Sequence, residues 1–221
     1  MKFRRIEAVF MKQIKDTLKN KTALIQFVLF PLLAFILTET IAKSDKFLPD
    51  NYFVLLFAIM YVGMVPAINT ASIITEEKEK NTLRILMLAN VRPLEYLIGV
   101  GSYVFIVSSI GAVAFGFIGG YSGAQLGLFI IVLMVGILGS LILGSTIGIF
   151  AKNSMSSAGL VLPVSMITAF LPMIASFNET FESISRFLYT QQINYLIADL
   201  SVANFTVERF IIIFINVYTF I

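Results

Sequence analysis

Residues 96–151 read YLIGVGSYVFIVSSIGAVAFGFIGGYSGAQLGLFIIVLMVGILGSLILGSTIGIFA, a run in which no Asp, Glu, Lys or Arg occurs. A hydrocarbon core about 30 Å thick takes about 20 apolar residues of helix at about 1.5 Å each, so this run holds two crossings. They cover 96–120 and 126–151, joined by a short turn at 121–125. The rest of the chain agrees, since 58% of its 221 residues are hydrophobic and 13% are charged, against about a quarter charged in soluble domains. The fold class that follows is an all-α membrane protein with a single transmembrane domain over 1–221.

Outward from that run lie four further apolar stretches, 22–42, 52–75, 157–177 and 207–221, which bring the expected crossings to six. The last is short, because Phe210 to the end is 12 residues, about 18 Å of helix. Either the sequence stops within its final crossing or that helix is unusually short. The opening 21 residues are dense in charge and lead into an apolar run of full membrane length, which does not read as a cleavable signal peptide. Those 21 residues carry seven basic side chains against Glu7 and Asp16, and positive flanks stay in the cytoplasm, so the N-terminus is expected inside. Alternation then places 76–95 and the Lys152 turn inside. The segments 43–51, 121–125 and 178–206 fall outside. A composition weighted to Ile, Phe and Lys fits a multi-pass protein of a bacterial plasma membrane.

The absences narrow the chemistry. With no Cys and no His, the chain can form no disulfide, thiolate nucleophile, imidazole base or zinc site of the usual ligands. There is no HExxH, no pair of carboxylates spaced for acid–base work and no phosphate loop of the GxxxxGK[ST] type, so no catalytic residue, metal site or bound cofactor is assigned. The chain does not read as an enzyme by itself, and any uphill transport must draw energy from another subunit. Its net charge of +3 and pI near 9.1 describe a basic membrane protein rather than a nucleic-acid binder, whose basic residues need a solvated face. Glu39 is the one ionisable residue inside an expected span. It lies about one turn from the outer end, at headgroup level or at the mouth of a path; Gln26, Asn69 and Asn216 are neutral.

Phe3, Ile6, Phe10, Ile14 and Leu18 recur at spacings of three and four, one face of a helix over 1–20. Arg4, Arg5, Lys12, Lys15 and Lys19 project to the other side, as in a basic amphipathic helix lying on inner lipid headgroups or, alternatively, in an ordinary solvated helix end. Two ladders of small residues, Ser108-Ala112-Gly116-Gly120 and Gly136-Ser140-Gly144-Gly148, mark faces where helix backbones approach closely in lipid. They fit packing of the third crossing on the fourth, or a dimer seam. Pro31, Pro66, Pro163 and Pro172 sit inside spans and free backbone carbonyls.

The inner loop carries the most information. It reads TEEKEKNTLRILMLANVRPLEY from Thr75 to Tyr96 and is expected to form a helix over most of its length. Glu76, Glu77 and Glu79 crowd its start, where they complement the helix dipole, and Leu83, Leu86 and Met87 share an apolar side. Such a helix, held between two crossings, either transmits a push or serves as a solvated connector.

Glu77-Lys-Glu79-Lys-Asn81-Thr82, with Leu86, Arg92-Pro93 and Gly99-Val100, resembles the "E-x-E-x-G-T-x-x-x-L" signature, followed by a proline and a Gly-Lys pair, of the permease subunits of type-two ATP-binding-cassette exporters. The basic N-terminal elbow helix, the six crossings and the long segment before the last one extend the resemblance over most of the chain. Asn81 replaces the family glycine and Val100 the family lysine. The resemblance implies that 76–92 contains a coupling helix docking on a separate cytoplasmic ATPase through Glu76, Glu77, Glu79, Thr82, Leu83, Leu86 and Arg92. That partner would hold the ATP and magnesium, and a second permease, identical or homologous, would complete the exporter. It also implies short re-entrant helices within 178–206. A path along the first, second and fifth crossings, with Glu39, Asn69, Thr70, Phe181 and Tyr189 as candidate lining or outer gate, would suit a hydrophobic drug, antimicrobial peptide or peptide toxin. A non-transporting immunity or scaffold protein is the alternative, and a passive channel lacks any visible polar filter.

Overall fold

The structure, a computed structural model, describes residues 3–19, 21–44, 48–200 and 206–219. Lys2, the side chains of Leu18 and Lys21, residues 201–205 of the long segment and the last two positions lie outside the described residues. The helices run α1 Phe3–Lys19, α2 Lys21–Leu37 with a π-helical extension Thr38–Ala42, α3 Tyr52–Glu79, α4 Thr82–Leu88, α5 Pro93–Ile118, α6 Gly123–Phe150, α7 Ser154–Ala175, α8 Glu179–Ser185, α9 Tyr189–Ala198 and α10 Val207–Thr219. No strand occurs among the described residues. The all-α membrane fold expected from composition is therefore what the chain adopts.

Five helices are long and apolar enough to cross a membrane: Leu24–Ala42, Tyr52–Glu79, Pro93–Ile118, Gly123–Phe150 and Ser154–Ala175. The sixth expected crossing corresponds to α10, whose 13 residues span about 20 Å. Three of the crossings begin three residues before the expected boundary, because Arg92, Ser122 and Asn153 are the N-caps and the apolar count starts only after them. Pro93 stands at the first helical position of α5, where a missing N–H costs nothing.

α3 is the central helix, packed against α2, α5, α6, α7 and α9. Close approach there depends on small residues. A Cβ on Gly144 of α6 would overlap the carbonyl of Ala67, one on Gly136 would sit 2.6 Å from Val62, and one on Gly63 of α3 would sit 3.0 Å from the Ala169 backbone of α7. The α6 ladder thus packs on α3, the second crossing, and not on the third as its spacing led one to expect. Period four marks which face is small but not which neighbour it meets. On α5 the ladder divides. The Ser108 carbonyl accepts from Tyr61 Oη of α3 at 3.1 Å, while Gly116 faces Leu126 and Phe129 of α6.

Pro66 cannot donate to the carbonyl of Val62 one turn before it. Ser140 Oγ of α6 donates to that carbonyl instead and also lies 2.7 Å from the Tyr189 hydroxyl of α9. Thr168 of α7 donates to the next carbonyl, Gly63, at 3.1 Å. A neighbouring hydroxyl therefore satisfies the group that the proline frees, as a non-aqueous interior requires. The same contacts bury the face of α9 formed by Tyr189, Ile193 and Leu196. The α8–α9 pair folds back against the bundle at the end opposite α4, with Tyr195 Oη donating to Glu182 at 2.9 Å and Arg186 paired to Glu208 of α10 at 2.7 Å.

Candidate functional site

The conspicuous polar assembly lies where α3 ends and α4 and α5 begin. α3 stops because Asn81 adopts a left-handed conformation, φ 56°, which Asn and Gly tolerate best. Asn81 thus takes a backbone conformation that is also open to the glycine of the signature it resembles. Thr82 opens α4 and its hydroxyl donates to the Glu77 carbonyl at 3.1 Å. At the far end Asn90 is also left-handed, Asn90 N donates to Met87 O and Val91 N to Leu86 O. These two bonds make a Schellman motif and stop α4 after seven residues. Arg92 N then donates to the Glu95 carboxylate at 3.1 Å, which sits in the first turn of α5, where a negative charge complements the helix dipole.

Glu76, Glu77 and Glu79 accordingly do not crowd the start of a helix over 76–95. They occupy the last turn of α3, the end at which the dipole disfavours acids, and each is held by a hydrogen-bond donor. Glu77, only 5% exposed, accepts from Lys12 Nζ at 2.6 Å and from Gln13 Nε2 at 2.5 Å. Glu76 pairs with Lys80 at 3.0 Å, and this carboxylate raises the Lys80 pKa above its usual value. Glu79 accepts from the backbone and hydroxyl of Ser154 at the start of α7. The sequence reading took the span to end at its first charge, and α3 continues because those charges are paired.

α1 is the brace. Arg5 lies 3.5 Å from buried Glu95, and Lys12 pairs with Glu77. These two basic residues therefore turn toward the protein, whereas Arg4, Lys15 and Lys19 remain exposed. The buried face of α1 is centred on Val9, Gln13 and Thr17, one position on from the expected Ile6, Phe10 and Ile14, which are half-buried beside it, while Phe3 is exposed. Val9 packs with Ile74, Tyr96 and Val100, and Leu83, Leu86 and Met87 close over that small core. Gly99 admits α1, because a Cβ there would lie 2.7 Å from Val9. Val100 is fully buried.

Leu83 and Leu86 are thus engaged inward. What α4 presents outward is Ile85, 62% exposed, and Leu88, 76% exposed, with Arg84 exposed beside them and Arg92 and Leu94 exposed just beyond. The sequence reading missed this second face. Its signal was present in TLRILML, which is apolar nearly all round, so that one side packs and another is left over.

The residues expected to share a path do not meet. Glu39 is exposed and pairs with Lys43 one turn on at 2.6 Å. Asn69 is buried and donates to Gln26 and Val65 O, Thr70 donates to Pro66 O, Phe181 is exposed, and Tyr189 is buried against Ser140. A cavity of about 360 Å³ lies instead between the first turns of α3 and the ends of α7 and α9, walled by Leu55, Leu56, Ile59, Pro172 and Met173 with Tyr52, Ser176 and Asn194 as its polar groups. It adjoins two of the three helices expected to form the path. Among the described residues no cluster of acidic side chains is placed to hold a metal ion.

A comparison with individual curated proteins finds no match. The family model described as ABC-2 type transporter matches residues 4–205, which take in α1, all five long helices and the α8–α9 pair. The chain belongs to the ABC-2 type transporter family and is a transmembrane permease of an ATP-binding-cassette transporter.

Proposed function

We propose that the chain is the permease subunit of an ATP-driven exporter, and that α4 is the element on which a separate cytoplasmic ATPase, the holder of ATP and magnesium, acts. The observation that carries this reading is the exposed Arg84–Ile85–Leu88 face on a helix stopped at both ends and braced by α1. Apolar side chains exposed along the crossings have lipid or a second permease to cover them. Those of α4 lie beyond the membrane end of α3, among Glu76, Lys80, Arg84 and Arg92, where water would surround them unless a protein covers them. The same end of the bundle carries Arg4, Arg5, Lys12, Lys15, Lys19, Lys78, Lys80, Arg84, Arg92 and Lys152, whereas the described basic residues of the opposite end are Lys43, Arg186 and Arg209. This bias supports an N-terminus and α4 in the cytoplasm of a bacterial plasma membrane.

Export of a hydrophobic or amphipathic molecule is the transport reading, supported by the apolar cavity between α3, α7 and α9. A second permease, identical or homologous, would pack on the apolar faces that α2 and α7 leave exposed, such as Ile25, Leu29, Met166 and Ile167. ATP-driven closure of two ATPases would move the two α4 helices and rock the permeases against each other. Co-purification of the tagged chain with its co-expressed ATPase tests the reading. Ile85→Asp/Leu88→Asp is expected to lose the ATPase while the permease stays monodisperse. Retention of the ATPase, with its activity still stimulated by amphipathic peptide, would remove α4 from the interface, and absence of any ATPase from wild type would favour a non-transporting scaffold.

A further inference from the structure

Lys78 and Glu79, adjacent at the end of α3, reach across to a turn more than 70 positions later in the chain. Lys78 Nζ donates to the carbonyls of Gly148 at 2.8 Å, Ile149, and Ala151 at 3.1 Å. These belong to the last turn of α6 and its C-cap Ala151, and the final carbonyls of a helix have no partner within it. Glu79 does the converse at the start of α7, accepting from Ser154 N at 2.8 Å and from Ser154 Oγ at 2.7 Å. Each charge thus meets the helix end whose dipole it complements, the cation the C-terminus of α6 and the anion the N-terminus of α7. Gly148 adds close packing, since a Cβ there would lie 3.1 Å from Ala71 Cα and Ile74 Cβ of α3.

We infer that Lys78 and Glu79 form a clamp that makes the α6–α7 turn move with the α3–α4 junction. The inference rests on the coupling role proposed for α4 and names the residues through which its displacement leaves the junction. α4 begins three residues after Glu79 and is tied to the same turn of α3 by the Thr82–Glu77 bond. A push on α4 therefore reaches two helices to which it is not adjacent in sequence. One of them, α7, walls the cavity with Pro172 and Met173. Lys78 and Glu79 are positioning residues, since neither faces the exposed side of α4 nor the cavity.

The absence of Cys makes paired spin labels straightforward. In the permease–ATPase complex in nanodiscs, Ser44→Cys at the far end of α2 is paired with Ala89→Cys, to follow α4, or with Lys152→Cys, to follow the α6–α7 turn. In wild type both distances are expected to shift when the ATPase is trapped with ATP and vanadate. In Lys78→Ala/Glu79→Ala the Ala89 pair should still shift, while the shift of the Lys152 pair falls by at least half, and Lys78→Arg alone should retain it. Hydrogen exchange on the permease without ATPase reads the clamp separately, because Glu79→Ala should deprotect the peptide holding Ser154. A full Lys152 shift in the double variant overturns the inference. Failure of both wild-type pairs to shift overturns the coupling reading and this one with it, a case recognised by the unmoved Ala89 pair.

Discussion

Glu77→Ala is expected to destabilise the permease even though its site lies at the membrane edge. The carboxylate is almost fully buried and one oxygen receives both Lys12 Nζ, at 2.6 Å, and Gln13 Nε2, at 2.5 Å. Hydrogen bonds to a charged group contribute about 1.5–3 kcal/mol net, and removing one member of a buried pair costs about 3–5 kcal/mol when the other charge stays buried. Lys12 is about one-third exposed, with its side chain at 33%, and water can solvate it again, which moves the value toward the lower range. Gln13 is 3% exposed and keeps an amide without an acceptor. The sum is about 2 kcal/mol, which corresponds to about 4–8 °C in Tm for a chain of this size. Thermal unfolding in detergent, followed by near-ultraviolet circular dichroism of the tyrosines, measures it. The cycle of Lys12→Ala, Glu77→Ala and the double variant should show a coupling of about 1 kcal/mol, because the double variant loses the pair only once. A Glu77→Ala Tm within 1 °C of wild type, or strictly additive single losses, would refute the claim that α1 braces the junction through this carboxylate.

Gly144→Val should prevent a stable fold, because even the first carbon of the new side chain overlaps the Ala67 carbonyl and backbone cannot yield as a flexible side chain does; size-exclusion profiles check this. Asn81→Gly should leave stability unchanged or raise it slightly, while Asn81→Val should lower it by about 1–2 kcal/mol, since a β-branched residue resists φ 56°. Ser140→Ala should cost more than Tyr189→Phe, about 1–3 against about 0.6 kcal/mol, because only the first leaves the proline-freed Val62 carbonyl without a donor. Equal losses in denaturant unfolding would contradict that ordering.

The charge-free run at 96–151 was enough to establish crossings, because burial in hydrocarbon acts on every residue of a span and leaves a continuous trace. The resemblance of Glu77–Leu86 to the family signature located the junction. Pairing was not legible there, since a helical wheel shows that Arg5 and Lys12 share a side but not that Glu95 and Glu77 stand opposite them. For the same reason Gly144 announced a close contact without naming α3. The run past Thr75 to Glu79 was hidden because charges ordinarily end a span, and the groups that hold these carboxylates are Lys80 next to them and Lys12, Gln13 and Ser154 from two other parts of the chain. Leu83 and Leu86 drew attention as apolar residues on a polar loop. Burial decides between them and Ile85 and Leu88, and burial depends on where α1 lies.

The central claim, that the Ile85–Leu88 face of α4 seats an ATPase, is tested most directly by site-specific cross-linking in native membranes. Single cysteines placed at 83, 85, 86 and 88 of the cysteine-free chain, each carrying a benzophenone, are irradiated with the ATPase co-expressed. Adducts to the ATPase from 85 and 88, with little from 83 and 86, are the result expected. Adducts from 83 and 86 in equal yield, or from none of the four while the complex still co-purifies, would contradict the account.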